Sequence, residues 1–116
     1  MNELEQLRIR IREFVRERDW DQFHSPKNLS MALIVEAAEL VEHFQWLKES
    51  ESHELPAQTL KAVEEELADI LVYLVRIADQ LGIDLLSAAN KKMESNRAKY
   101  PADLVRGSSK KYTEYG

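Results

Sequence analysis

The chain has 116 residues, no cysteine, 16 basic and 21 acidic side chains, and a net charge of −5. Disulfides, thiolate metal sites and thiol nucleophiles are excluded, and the acidic balance argues against binding a nucleic-acid polymer or a polybasic membrane contact. With 44% apolar residues, the expectation is one globular, cytoplasmic domain over residues 1–116, since no leader pattern opens it and no apolar run approaches the roughly 18 residues that span a bilayer.

Leu4, Leu7, Ile11, Phe14 and Val15 recur at helical spacing and predict a first helix from about Glu3 to Arg18. A loop from Asp19 to Asn28 follows, carrying Trp20, Phe23, His24 and Pro26. Asn28 is the expected N-cap of a second helix, about Leu29 to Lys48. The polar stretch Glu49 to Gln58 contains Pro56 and reads as a surface loop. A third helix is expected from about Thr59 to Leu81, stopped by Gly82. Asp84 caps a fourth, about Leu85 to Lys99, which Pro101 ends. A polar tail, about 102–116, carries Arg106, Lys110, Lys111, Tyr112 and Tyr115. No strand pattern competes, so the fold class is all-α. The third helix is apolar nearly all round between Leu67 and Ile77, which implies burial on more than one side and hence a helix bundle that associates with copies of itself.

Two acid pairs stand out. Glu36 and Glu39 lie three apart on the second helix, and Glu66 and Asp69 lie three apart on the third. Residues at i and i+3 share a helical face. Such pairs also arise by chance among 21 acids, as Glu39/Glu42 and Glu51/Glu54 illustrate, and most are solvated. The setting distinguishes these two, because apolar neighbours surround them: Leu67, Ala68, Ile70, Leu71 and Val72 flank Asp69. Carboxylates gathered in such surroundings need a compensating charge. An all-oxygen ligand set suits Mg²⁺, Mn²⁺ or Ca²⁺. No histidine follows a suitable Glu by three, as a di-iron bundle usually requires. Mg²⁺ keeps positions open for water and phosphate oxygens, which points to phosphoryl chemistry. Trp46 lies seven residues beyond Glu39 and Tyr73 four beyond Asp69, so both are candidate pocket walls, with Trp20, Phe23 and His24 from the loop. Aromatics at this spacing more often belong to a core. Lys92, Asn96 and Lys99 form one face of the fourth helix and are suited to triphosphate oxygens if that face meets the metal.

At these residues the chain resembles the MazG-like all-α NTP pyrophosphohydrolases. Their hallmark, E-x-x-E, a spacer, then E-x-x-D, stands here as Glu36-Ala37-Ala38-Glu39 and Glu66-Leu67-Ala68-Asp69. Within that family it is most similar to the dCTP pyrophosphatase branch, through the stretches Glu17 to His24, Pro26 to Leu29, Phe44-Gln45-Trp46, Lys92 to Arg97, Tyr100-Pro101 and Arg106 to Thr113. The resemblance covers nearly the whole chain. It implies antiparallel helices assembled as a homodimer or homotetramer, and Mg²⁺ (with Mn²⁺ an alternative) on Glu36, Glu39, Glu66 and Asp69. It implies a base pocket from Trp20, Asp21, Gln22, Phe23 and His24 with Trp46 and Tyr73, and triphosphate contacts from Lys92 and Asn96. Where some relatives carry a histidine on the first helix, this chain has Ile11, which loosens the inference about base choice.

The expected reaction is hydrolysis of a nucleoside triphosphate, dCTP or a modified dCTP, to monophosphate and pyrophosphate. Glu36 or Glu39 is the candidate general base, Glu36 preferred. The same chemistry on dUTP or on a broad range of NTPs is the first alternative. A non-enzymatic helical interaction module is the second.

Overall fold

The structure is a computed structural model and describes residues 1–108. Every regular element among them is helical. Helix α1 spans Glu3–Glu17. Asn2 caps it, its side-chain oxygen accepting from the Glu5 N–H at 2.8 Å, and Glu3 and Glu5 place negative charge at the positive end of the helix dipole. After Arg18 the chain reverses through Asp19, whose φ of 52° lies in the left-handed region that Asp tolerates better than most residues. The Trp20 N–H then bonds back to the Val15 carbonyl at 3.0 Å, holding the start of the loop against α1. A 3₁₀ turn, Asp21–Phe23, follows.

Helix α2 spans Pro26–Glu42, which corrects the sequence reading at both ends. The cap is Ser25, whose hydroxyl accepts from the Asn28 N–H at 3.1 Å. Pro26 occupies the first turn, where a missing N–H costs nothing. Asn28 is thus inside the helix, its side chain donating to the Phe23 carbonyl. The helix stops six residues before Lys48. Tight bonds, Phe44 N–H to Val41 and Leu47 N–H to Phe44, carry the chain away as turns.

Helix α3, Ala57–Leu81, is the long axis of its unit, and Gly82 ends it with a φ of 66°. Helix α4, Leu85–Lys99, begins where the Asp84 side chain accepts from the Ser87 N–H at 3.0 Å. A short α5, Ala102–Val105, follows Pro101 within the expected polar tail. Lys110, Lys111, Tyr112 and Tyr115 lie outside the described residues.

The chain forms two compact units, one over Met1–Ile83 and one beginning at Asp84. In the first, α3 packs against both α1 and α2. Helices α2 and α3 run antiparallel: His24, just before α2, meets Arg76 and Gln80 near the end of α3, while Glu36 and Glu39 meet Glu66 further back. Ile11, Val15, Leu29, Val63, Val75 and Ala78 are the buried apolar residues. That core is small for the apolar content. Met31, Ile34, Val35 and Val41 on α2, and Leu60, Leu67 and Leu71 on α3, stay exposed. Among the described residues no helix is long and apolar enough to cross a membrane.

Candidate active site

Antiparallel packing of α2 on α3 brings the two acid pairs together. Carboxylate oxygens of Glu36, Glu39 and Glu66 lie within 4.8 Å of one another, and all three residues are half-buried. Asp69 is exposed and outside that group. It is still close enough to repel the Glu36 and Glu66 carboxyls. The helical spacing therefore brings three of the four acids into one tight group and leaves the fourth at its margin.

The electrostatics of this group are unsatisfied. The Glu36 carboxyl is pushed up to about 7, first by burial, then by the adjoining Glu66 and the charges of Glu39 and Asp69. Glu66 is raised as well, mainly by burial. Glu66 Oε2 is buried without a hydrogen-bond partner, a costly condition for a carboxylate oxygen. No salt bridge among the described residues reaches any of the four acids. An oxygen-ligated divalent cation fits this donor set and would supply the missing positive charge.

A cavity of about 500 Å³ opens beside Glu36 and Asp69. Its walls include Trp20, His24 and Tyr73, three of the aromatic residues read from the sequence. Trp20 packs edge-on against Phe14, with ring centroids 5.7 Å apart, and the Arg18 guanidinium lies 3.7 Å over the other ring. The Tyr73 hydroxyl is pushed up by burial and by the charges of Glu36 and Asp69, so it stays protonated and able to donate.

The other expected residues are engaged as follows. Asp21 turns to Arg76 in an ion pair of 2.5 Å. The Gln22 amide closes its own turn by donating to the Asp19 carbonyl. Phe23 is 59% exposed and Trp46 is 87% exposed, and neither lines the cavity. Because α2 ends at Glu42, the seven-residue offset that put Trp46 on the Glu39 stripe does not apply. Lys92 and Asn96 lie one turn apart on α4, in the second unit.

The sequence reading missed Arg76 and Asp79. Arg76 is buried at 3% exposure, donating to Asp79, Asp21 and His24. Asp79 also accepts from Arg8 and Arg12. Burial pushes the Asp79 carboxyl up, but these guanidiniums outweigh it and hold the group below its ordinary value. The signal was present: one arginine within the apolar run Leu71 to Ile77, with an aspartate three residues later. A buried cation needs acid partners.

The MazG-like family model matches residues 31–115. The chain is 46% identical to mouse (Mus musculus) dCTP pyrophosphatase 1 and 47% identical to the human (Homo sapiens) protein of that name. Each match runs over 113 residues and covers 96% of this chain and 66% of the relative's length. The chain thus spans just under two thirds of these curated relatives. A crystal structure of a pyrophosphatase from Archaeoglobus fulgidus DSM 4304 superposes with a TM-score of 0.75 at 40% identity, covering 87% of this chain and 94% of that one.

Proposed function

The chain belongs to the MazG-like family, and on that premise we propose that it is a Mg²⁺-dependent pyrophosphohydrolase acting on dCTP or a modified dCTP. The observation that carries this reading is the gathering of three carboxylates within 4.8 Å, with a buried oxygen left unpartnered, beside a cavity walled by Trp20, His24 and Tyr73. The names of the mouse and human relatives supply the cytosine nucleotide.

Glu36, Glu39 and Glu66 would hold the cation, with Asp69 completing the set from its exposed position, and Mn²⁺ is the expected substitute for Mg²⁺. When bound, the ion neutralises phosphate charge and acidifies water. Glu36, with Glu39 as the alternative, takes a proton from the attacking water. A bond forms from the water oxygen to phosphorus as the bond to the departing pyrophosphate breaks. Trp20 and Tyr73 flank the base, with His24 at its edge. Asp21, Gln22, Phe23 and Trp46 are assigned to the base pocket, and Lys92 and Asn96 to the triphosphate, on the family resemblance alone. Catalysis of this kind rests on positioning and charge neutralisation.

The apolar residues left exposed on α2 and α3 support assembly as a homodimer or homotetramer, which light scattering would measure. We place the enzyme in the cytoplasm.

The test is pyrophosphate release from dCTP, 5-methyl-dCTP, dUTP, dTTP and purine NTPs with Mg²⁺ present. The reading predicts the highest kcat/KM for the two cytosine nucleotides. Equal rates across the panel would replace it with a broad-range enzyme, and no release from any nucleotide would end it.

A further inference from the structure

Arg76 makes no hydrogen bond or ion pair with the four acids of the family motif, yet it is the most deeply buried charge in its unit, and its side chain reaches the cavity wall. Its three donor nitrogens are divided among three partners. One terminal nitrogen donates to Asp79 Oδ2 at 3.2 Å, and the other to Asp21 Oδ1 at 2.5 Å. The third, Nε, donates to His24 Nδ1 at 3.3 Å. From the same helix, the Gln80 amide donates to the His24 carbonyl. Helix α3 thus holds the loop residues Asp21 and His24 from beneath.

A guanidinium N–H can only donate, so His24 Nδ1 must accept. A neutral imidazole that accepts at one nitrogen carries its proton on the other. We infer that Arg76 is a positioning residue that fixes His24 as the Nε2–H tautomer, so that the ring presents a hydrogen-bond donor to the nucleobase. This inference rests on the proposed function for its ligand. Burial and the neighbouring Arg76 charge both lower the His24 proton affinity, against a smaller opposing pull from Asp21, which keeps the ring neutral near pH 7. No hydrogen bond within the chain takes up Nε2 among the described residues. A fixed donor selects a base edge that offers an acceptor, such as a pyrimidine carbonyl oxygen or an unprotonated ring nitrogen. The tilted Trp20 ring, 6.5 Å from His24 between centroids, flanks the same position.

The tautomer is read directly by long-range ¹H–¹⁵N NMR of the nucleotide-free, histidine-labelled protein near pH 7, with the His24 signals identified by their loss in His24→Gln. The expected result is a protonated Nε2 and a bare Nδ1. A protonated Nδ1 would overturn the inference. Kinetics supply the second arm. A glutamine amide reaches the place of Nε2, whereas an asparagine amide reaches only that of Nδ1. His24→Gln therefore stays nearer the wild-type KM, and His24→Asn raises KM about tenfold above it, the size of one lost hydrogen bond. Equal KM values for the two variants would contradict a donor at Nε2. Arg76→Lys keeps the charge but loses the Nε–H; it should shift the His24 signals toward a tautomer mixture and raise KM more than it lowers kcat. Should that variant not fold, the wild-type spectrum and the two position-24 variants still decide. If the wild-type protein hydrolyses no nucleotide, the catalytic reading falls while the spectrum still decides the tautomer.

Discussion

Helix α3 carries two charged pairs ten residues apart, Glu66 with Asp69 and Arg76 with Asp79, each spaced i and i+3. About 15 Å of helix separates them, and their electrostatics are opposite. At Arg76 and Asp79 the charges are matched: Asp79 accepts from Arg8, Arg12 and Arg76, and Arg76 donates to Asp79 and Asp21. At Glu66 the nearest charges are the like charges of Glu36, Glu39 and Asp69, and one oxygen has no partner. The saturated cluster ties α1 and the Trp20 to His24 loop to α3. The unsaturated one gathers carboxylates without a compensating positive charge among the described residues, at a cost to the fold. Within one helix, the Arg76 cluster has a complete partner set and the Glu66 cluster does not.

Substitution should split the two clusters most sharply. Glu66→Gln or Asp69→Asn should abolish turnover, a fall on the order of a thousandfold or more, with helical circular dichroism retained and the metal-free melting temperature unchanged or higher. Asp79→Ala should do the reverse. It leaves Arg76 buried beside fewer acids and should lower stability by roughly 3 kcal/mol in denaturant titration. If Asp79→Ala were neutral and Glu66→Gln strongly destabilising, the roles assigned to the two clusters would be exchanged.

Stability against pH sharpens the contrast. Glu36 binds its proton more tightly folded than unfolded, so its contribution is complete below the unfolded value and lost as pH rises through about 7. Asp79 binds its proton less tightly folded, so its contribution is present above the ordinary aspartate value of about 3.9 and lost as pH falls through the lower folded one. The metal-free melting temperature should therefore rise as pH is lowered from 8 towards 5 and fall at the acid end. Asp79→Ala should lose the acid limb of this profile, and Glu36→Gln the alkaline one.

The smallest effect belongs to Trp46, outside both clusters. Trp46→Ala should raise KM about tenfold if the ring stacks on a base. Its 87% exposure predicts an unchanged melting temperature. An unchanged KM would remove Trp46 from the pocket.

What was legible in the sequence divides along physical lines. Helix α4 and the stop at Gly82 were readable because their signals are local: an Asp cap, a glycine able to adopt positive φ, and Pro101 beyond the end. The end of α2 was not. No glycine or proline lies between Glu42 and Lys48, and tight turn bonds that no residue type announces end the helix there. The acid pairs were readable because i, i+3 spacing survives any helical packing. Asp69 stands apart from the other three because the rotation of α3 against α2 is set by packing, not by spacing. Arg76 was passed over because its partners, Asp21, His24 and Asp79, come from two segments 52 or more residues apart at their widest contacts, and one sequence gives no direct sign of which loop meets which helix.

The most direct test of the central claim is calorimetric titration of Mg²⁺ into the wild-type chain and into Glu66→Gln, without nucleotide, at pH 8. The account predicts saturable binding to the wild type at millimolar concentrations or below and its loss in the variant. Equal heats from both proteins, or none from either, would contradict a cation held among Glu36, Glu39 and Glu66.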